Sequence, residues 1–282
     1  MDRVFLDTSI QIARWCHGPE TKRRIADRIG QCNGAVTGLI VRQEFKRRLL
    51  KEAQYLLNQL NHKGSLEKVL RHVVDILPPQ QQRKRTICLE MLTVLFEEVD
   101  DAERTERARR YLRSLLRFGL TEFDSSVDAI IWDSGCACAH FPVEEKVSYK
   151  RYEFGPDKCS ATGGVCGVVD FLKIRRQEMN QILAHLQRIP DAKKSSELQK
   201  AENFIGKILE NADGAAEMEP CLTVGDLMIA LESAGVPVFY TLNSNESQHL
   251  CRALKQTLVV RPKNPEHEDL VCLDTDGVWR EF

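Results

Sequence analysis

The chain has 282 residues, of which 43% are hydrophobic and 29% are charged, and its formal net charge is −1. This composition is typical of a soluble globular protein with one large domain or two small ones. It contains no run near the ~18 apolar residues of a membrane-spanning helix, and its N-terminus does not resemble a secretory signal. We therefore expect a cytoplasmic protein without a membrane segment. Disulfides are rare in reducing compartments, so we expect its ten cysteines to be thiols or metal ligands.

The N-terminal part of the chain predicts two short buried strands, each followed by a helix. Residues 3–9 form a short apolar run that ends in Asp7-Thr8-Ser9, which predicts a strand and then a helix. Residues 34–37 predict the second strand. From Gly38 to about Asn61 the apolar residues recur with helical period, and Glu44 lies in the first two turns of that helix.

Residues 62–217 predict a mainly helical insertion that packs beside the sheet. Helical periodicity covers about 66–118 and 169–211, with breaks at glycine and proline positions. The spacing of Thr121 and Asp124 resembles a capping box and predicts a further helix that continues through Ile131.

Positive charge is concentrated before and within the first half of this insertion. Residues 42–120 carry 17 basic and 11 acidic side chains, an excess that favours an anionic partner such as nucleic acid. Solvated helix faces are the structural alternative. The basic clusters are Lys46, Arg47, Arg48 and Lys51; Arg83, Lys84 and Arg85; and Arg104, Arg107, Arg109, Arg110, Arg113 and Arg117.

A cysteine-rich segment, 133–167, separates the two helical halves of the insertion. It contains Cys136, Cys138, Cys159 and Cys166, with His140 as a substitute for one of them. Zn²⁺ prefers four such ligands from separate turns, and a weakly periodic segment is typical where a metal replaces a core. The pattern predicts a structural zinc site, and buried or free thiols are the alternative. The remaining cysteines are interpreted as scattered small core residues: Cys16, Cys32, Cys88, Cys221, Cys251 and Cys272.

After residue 218 the chain returns to short apolar strands that alternate with helices. The pattern predicts a helix over 223–234, a strand over 236–241, a helix over 244–255 and a strand over 257–260. Together the two terminal parts, 1–61 and 218–282, predict an α/β core with a parallel sheet flanked by helices.

Acidic and amide side chains occur where these predicted strands end. Asp7 ends the first strand, Glu44 follows the second, Asp226 precedes the strand at 236–241, and Asn243 and Glu246 follow it. Ligands of parallel sheets bind at the carboxyl ends of strands, and clustered buried carboxylates require compensation. Hard oxygen ligands favour Mg²⁺ or Mn²⁺, so the pattern predicts a divalent cation site.

Each of these residues also has a structural interpretation. The pairs Thr223–Asp226 and Asn243–Glu246 have the spacing of helix caps, and Glu44 can pair with Arg47 or Arg48 along its helix. Asp7 has no obvious neighbouring partner in the sequence.

In their order along the chain, these residues resemble the PIN-domain nucleases. The segment Val4-Phe5-Leu6-Asp7-Thr8-Ser9 resembles the opening strand motif of that family, with Ser9 where Asn is commoner, and Glu44 matches the second acid. Residues 225–230 and 235–243 resemble the third acid, Asp226, and its following strand. The pattern Thr241-x-Asn243-x-x-Glu246 is similar to the terminal Thr-x-Asn-x-x-Asp motif, with Glu in place of Asp.

The resemblance covers about 1–60 and 218–262, and it implies a PIN-like α/β fold with an unusually large helical insertion. Asp128, followed by Ala-Ile-Ile, offers a rival third acid. We favour Asp226 because a strand and the Thr-x-Asn motif follow it directly.

The implied activity is Mg²⁺- or Mn²⁺-dependent hydrolysis of phosphodiester bonds, most often in RNA. Asp7 and Asp226 would be the main metal ligands, and Glu44 would be a ligand or would orient a water. Asn243 and Glu246 would support a second ion or the outer shell, and Thr8 belongs to the cofactor-binding motif. The alternative is a catalytically degenerate PIN-like scaffold that binds nucleic acid, or a protein partner through the insertion.

Overall fold

The structure is a computed structural model that describes residues 2–75, 78, 81–93, 101–146, 151–155, 166–211, 217–260, 271–275 and 278–281. Short apolar runs of the sequence form the main strands. The described strands are β1 (Val4–Leu6), β2 (Ala35–Gly38), β3 (Ala129–Ile131), β4 (Glu144–Lys146), β5 (Arg151–Glu153), β6 (Val238–Thr241), β7 (Thr257–Val260), β8 (Val271–Leu273) and β9 (Trp279–Glu281).

The predicted α/β architecture is confirmed, with a mostly helical chain around a parallel sheet. Five parallel strands lie in the order β3-β2-β1-β6-β7, and β8 and β9 extend the sheet antiparallel beyond β7. β1 is central, since Val4 pairs with Ala35 on one side and with Val238 on the other. The two ends of the chain therefore form one sheet. β4 and β5 form a separate antiparallel pair.

Helices follow the apolar repeats closely. They are α1 (Thr8–Cys16), α2 (Pro19–Gly30), α3 (Leu39–Phe45), α4 (Lys51–Lys63), α5 (Leu66–Asp75), α6 (Gln82–Thr93), α7 (Asp101–Ser125), α8 (Ala137–His140), α9 (Val168–Ile174), α10 (Arg176–Leu186), α11 (Ser196–Glu210), α12 (Pro220–Thr223), α13 (Gly225–Ser233) and α14 (Ser244–Ala253). A five-residue π-helical turn, Lys46–Leu50, joins α3 to α4, and a 3₁₀ turn, Asp191–Lys193, precedes α11.

Alternate residues of the strands belong to two separate cores, one on each face of the sheet. Val4, Leu6 and Tyr240 lie in a smaller core with Ile10 of α1 and Ile25 of α2. The opposite face is larger and continues into the insertion. There Phe5 stacks on Phe239 at 5.4 Å between ring centroids, among residues of α3, α4, α7, α10, α11 and α13. The strands are buried on both faces, as parallel strands usually are.

The insertion is mainly helical in its described residues, as predicted. α5, α6 and α7 pack on α4, whereas α10 packs on α11 and α14. The predicted helix through Ile131 is wrong, because α7 ends at Ser125 and residues 129–131 form β3 at the edge of the sheet beside β2. Two adjacent β-branched residues, Ile130 and Ile131, suit a strand better than a helix. The insertion therefore contributes one edge strand and leaves β1, β2, β6 and β7 contiguous.

A buried carboxylate from α13 caps the N-terminus of α3, the helix that carries Glu44. Gly38, the N-cap residue, has no side chain with which to cap. Instead the Glu232 carboxylate accepts hydrogen bonds from the Leu39 and Ile40 amides, each at 3.0 Å, and from the Ser134 hydroxyl at 2.5 Å. Burial raises the pKa of Glu232 to about 8, although these hydrogen bonds oppose the shift. The cap fixes the start of α3 against α13.

Gly38→Ala is expected to destabilise the fold by about 3 kcal/mol, because the cap requires a residue without Cβ at position 38. A Cβ there would lie 1.7 Å from Oε2 of Glu232, so the carboxylate would have to leave two buried amides unsatisfied. Chemical denaturation measures the loss. Gly206→Ala within α11, where a Cβ meets nothing within 4 Å, is the control and should gain up to ~1 kcal/mol. Equal stability of Gly38→Ala and the parent would contradict the cap.

Across the described ranges, no helix combines the length and the apolar character that crossing a lipid bilayer requires.

Candidate functional site

Asp7 lies at the carboxyl end of β1 and holds a network of hydroxyl groups. Its Oδ1 accepts the Thr8 amide at 2.6 Å, and its Oδ2 accepts the Thr241 hydroxyl at 2.7 Å and the Ser9 hydroxyl at 2.8 Å. The carboxylate also caps α1 through the Thr8 and Ser9 amides. The sequence interpretation missed these partners, because Thr241 comes from β6, the neighbouring strand.

Glu44 is buried beside Asp7 and is held by groups of opposite charge. Its Oε2 accepts the Thr8 hydroxyl at 2.8 Å, and its Oε1 lies 2.6 Å from Nη2 of Arg48 and 3.7 Å from Nη2 of Arg47. Burial raises the pKa of Glu44, and Arg48 with the Thr8 hydroxyl opposes that shift. The ion pair that the sequence offered as a structural alternative is therefore formed.

Gly225 and Asp226 place the start of α13 beside the Glu44 carboxylate. A Cβ on Gly225 would lie 2.8 Å from Oε1 of Glu44, so glycine permits the close approach. Burial, followed by the charges of Asp7 and Glu44, raises the pKa of Asp226 to about 7. The capping box predicted for Thr223 and Asp226 is absent, since the Thr223 hydroxyl donates to the carbonyl of Met218 and Val224 is the N-cap residue. The raised pKa indicates a carboxylate that is shielded from water and lies near two other negative charges.

Asn243 and Glu246 stand at the rim, after β6. The Asn243 side chain caps α14 by accepting the Asn245 amide at 3.4 Å, and its Nδ2 donates to Glu246 at 3.3 Å. Asn243 is therefore the N-cap residue of α14, but the reciprocal half of a capping box is not formed, because the Asn243 amide donates to the Thr241 hydroxyl. Both residues also face the same cavity as Asp226, so the cap and a role in the site are compatible.

A cavity of about 430 Å³ brings four of these residues together with cationic side chains, and Asp7 is not among the residues that line it. It is lined by Glu44, Asp226, Asn243 and Glu246, together with Arg47, Arg48 and Lys200. A second cavity of about 400 Å³ shares Arg48 and Asn243 with it. Nη1 of Arg47 is buried without a hydrogen-bond partner among the described residues. The arrangement offers both an acidic centre and donors for an anion.

The described residues do not assemble a metal site with three protein ligands at this cavity. Among the residues that the structure describes, no three His, Cys, Asp or Glu side chains are placed to hold a metal ion. Both carboxylate oxygens of Glu44 have partners, Thr8 and Arg48. Asp7 and Asp226 also supply carboxylate oxygens of the kind that a hard cation prefers.

Asp128, the rival third acid, lies at the other end of the sheet. Its Oδ2 accepts the amide of Ala35 at 2.6 Å, at the start of β2, and Asp128 itself immediately precedes β3. It closes the amino edge of the parallel strands, so it is separate from the site at their carboxyl edge.

The cysteine-rich segment is only partly described, and the predicted ligand Cys159 lies outside the described residues. Cys138 and Cys221 are the largest causes that lower the pKa of Cys136 to about 5, against the effect of its burial. Cys221 is buried in the hydrophobic core, as the sequence predicted. His140 is exposed and stacks on Trp132 at 4.9 Å between ring centroids.

The basic clusters divide into buried and exposed members. Lys46 is 1% exposed, and its Nζ donates to the carbonyls of Cys138 and Phe141. The prediction that Lys46 belongs to a solvent-facing basic cluster is therefore wrong, because its side chain is directed inward to the cysteine-rich segment. On α7, exposed arginines remain at positions 107, 110, 113 and 117.

In the presence of a chelator, Asp226→Asn is expected to be more stable than the parent at pH 8, by roughly 2 kcal/mol. The folded state raises the pKa of Asp226 to about 7 from the ordinary 3.8, so folding favours its protonated form. Its contribution to stability is present below about pH 4 and is lost as the pH rises through 7. Urea denaturation at pH 4, 6 and 8 measures the difference, with Asp27→Asn on the exposed face of α2 as the control. A difference that stays constant with pH would contradict it.

No family model, curated protein or solved structure matches this chain.

Proposed function

We propose that the cavity at the carboxyl edge of the sheet is the active site of a metal-dependent nuclease that hydrolyses phosphodiester bonds, with RNA favoured over DNA. The observation that carries the proposal is Asp226. It is a partly buried carboxylate to which no described residue donates a hydrogen bond, and burial, together with the charges of Asp7, Glu44 and Glu246, raises its pKa to about 7. A divalent cation is the usual compensation for such a cluster. The motif resemblance to PIN-domain nucleases points to the same activity.

The donor set suits Mg²⁺ or Mn²⁺ held by two carboxylates, Asp7 and Asp226. Mg²⁺ in proteins commonly retains several waters and takes one or two carboxylates together with substrate phosphate oxygens, so a third protein ligand is not required. Glu44, paired with Arg48, would then orient the neighbouring groups without binding the ion. When bound, the ion would lower the pKa of a water to supply the nucleophile.

Other residues of the site would orient the Asp7 carboxylate and bind the substrate phosphate. Ser9 and Thr241 donate to Asp7 and fix the direction of its carboxylate. Arg47, Arg48 and Lys200 line the cavity and supply donors for phosphate oxygens, and the buried Nη1 of Arg47 is unsatisfied among the described residues. Arginine pairs with phosphate through two parallel N–H groups, which would orient the bond to be cleaved.

The direct test incubates the purified protein with end-labelled single-stranded RNA, and separately with single-stranded DNA, in Mn²⁺, Mg²⁺ or chelator. We expect cleavage of RNA with either metal, weaker cleavage of DNA and none with chelator. Cleavage that persists in chelator would contradict metal dependence, and absence of cleavage in every condition would contradict the enzyme.

A second candidate function, a PIN-like scaffold without catalysis, is favoured by one specific observation. Arg48 neutralises Glu44 at 2.6 Å, which provides internal compensation where an enzyme would employ a cation. This scaffold would bind nucleic acid or, through its insertion, a protein. It predicts salt-dependent RNA binding in fluorescence anisotropy that is the same with chelator and with Mn²⁺, and no cleavage in either.

A further inference from the structure

A second cavity, of about 400 Å³, lies where the helical insertion meets the α/β core. This volume falls within the range of small-ligand pockets. Arg48 and Asn243 line both this cavity and the cavity that Asp226 lines, so the two spaces are neighbours. Ser9, which also lines the second cavity, donates a hydrogen bond to Asp7 at 2.8 Å. A molecule in the second cavity would therefore lie beside the candidate active site.

Three aliphatic side chains line this second cavity. Ile12 comes from α1, Ile87 from α6 and Leu242 from the link between β6 and α14. Ile12 and Ile87 are largely buried, so the surrounding core fixes their positions. An unpaired nucleobase stacks favourably between apolar side chains, whereas a charged phosphate would lose its hydration there. The walls therefore suit a base, and the cationic cavity beside them suits its phosphate.

A histidine and a carboxylate form a polar edge in the same cavity. Nε2 of His17 lies 3.6 Å from Oε1 of Glu90, and 24% and 33% of these side chains are exposed. The carboxylate favours a proton on Nε2, so this edge offers one N–H donor beside two acceptor oxygens. Glu90 lies one turn after Ile87 on α6, which places the acceptors next to the apolar wall. A ligand with two donors beside an acceptor would complement this edge.

We propose that the second cavity binds an unpaired guanine base of the RNA strand whose phosphate occupies the neighbouring cavity. Among the four RNA bases, only guanine has a Watson–Crick edge with two adjacent N–H donors beside a carbonyl acceptor. Glu90 accepts from N1–H and from the exocyclic amino group, and His17 donates from Nε2 to O6. Adenine, cytosine and uracil each present an acceptor to one oxygen of the carboxylate. The inference rests on the proposed function, because the phosphates that Arg47 and Lys200 would bind orient the strand.

The experiment measures binding in chelator, by fluorescence anisotropy, of the full chain to labelled short oligouridines. Each oligonucleotide carries one central guanosine, inosine, adenosine, cytidine or uridine. We expect guanosine to bind roughly 10- to 100-fold more tightly than adenosine, cytidine or uridine, the discrimination of a bidentate contact. Inosine, which lacks the exocyclic amino group, should bind roughly 5-fold more weakly than guanosine. Equal affinities, or a preference for another base, would overturn the proposal.

Competition with free guanosine monophosphate distinguishes a base within a strand from a free nucleotide. The mononucleotide should compete at least about 10-fold more weakly than the guanosine oligonucleotide, because it lacks the flanking phosphates. Equal competition by the mononucleotide would overturn the assignment to an RNA strand.

A substitution at the polar edge identifies the residue that reads the base. Glu90→Gln replaces one acceptor oxygen by an NH₂ donor at constant size, so the preference for guanosine should fall below about 3-fold. Binding of the all-uridine oligonucleotide should stay as in the parent. Glu122→Gln, the same change at an exposed position of α7, is the matched control and should keep the parental preference. A parental preference in Glu90→Gln would overturn the proposal, and circular dichroism confirms that both variants are folded.

Binding in chelator is measured separately from cleavage in Mn²⁺, so this proposal and the nuclease can fail independently. A guanosine preference without cleavage would support the base site and contradict the nuclease. Cleavage by a protein that binds all five oligonucleotides equally would support the nuclease and overturn the base site.

Discussion

Asp7→Asn and Asp226→Asn are each expected to lower Mn²⁺-dependent RNA cleavage by at least about 100-fold, or ~2.7 kcal/mol of transition-state stabilisation. The amide keeps the size of the carboxylate but removes the charge that would hold the cation. Asn at position 7 still accepts the Thr8 amide, and the hydroxyls of Ser9 and Thr241 can rotate to accept from its NH₂ group. Both variants should therefore remain folded.

The measurements are initial cleavage rates and thermal midpoints, each with Mn²⁺ and with chelator. Asp128→Asn is the matched control, because it makes the same change at the opposite edge of the sheet, beside Ala35. It should cleave RNA as fast as the parent. Parental rates in both Asp7→Asn and Asp226→Asn would contradict the assignment of catalysis to this site. A thermal midpoint that Mn²⁺ raises in the parent and not in Asp226→Asn would support cation binding there.

Glu232→Ala is expected to destabilise the protein by about 3 kcal/mol, which corresponds to roughly 6–12 °C in the thermal midpoint at this chain length. The substitution removes the acceptor of the Leu39 and Ile40 amides and of the Ser134 hydroxyl, all of them buried. Because the substitution also removes a buried negative charge, part of that loss of stability is offset. Glu232→Gln retains one oxygen and should lose about 1 kcal/mol. Exposed Glu210→Ala on α11 is the control, with a change under ~0.5 kcal/mol.

A double-mutant cycle with Gly38→Ala tests the same contact from its other side. Because a Cβ at position 38 acts through Glu232, Gly38→Ala should cost about 2 kcal/mol less in the Glu232→Ala background than in the parent. Additive losses would show that the two positions act independently and would contradict the cap.

The sheet could be predicted from sequence because its strands are short apolar runs with clearly marked ends. The runs ending at Leu6, Thr241 and Val260 are buried on both faces and are flanked by helical repeats, so both their type and their parallel arrangement follow from pattern. β3 could not be predicted in the same way. Ala129–Ile131 is three residues long and begins shortly after a 25-residue helix ends, and only its pairing with β2 defines it as a strand.

The position of the acidic residues could also be predicted from sequence, because the carboxyl ends of parallel strands meet at one edge of the sheet. Glu44, Asp226, Asn243 and Glu246 line one cavity, and Asp7 is coupled to Asp226 through its charge. The hydrogen-bond partners of the buried carboxylates could not be predicted from the sequence. The hydrogen bond from Thr241 to Asp7 and the cap that Glu232 forms on α3 connect residues that are distant in sequence. No local sequence pattern predicts such contacts.

The central place of β1 between β2 and β6 has a consequence for protein synthesis. Thr241 reaches Asp7 across 234 positions of sequence, so β1 and β2 leave the ribosome long before β6 is translated. At roughly 5–20 residues per second, roughly 10–50 s pass between the two events. During that interval one side of β1 has unpaired backbone groups, and such open edges readily pair with foreign strands. The nascent chain is therefore most exposed to misassembly while its helical insertion is being made, and the acidic site forms only after the segment that contains Asp226 and β6 has been translated.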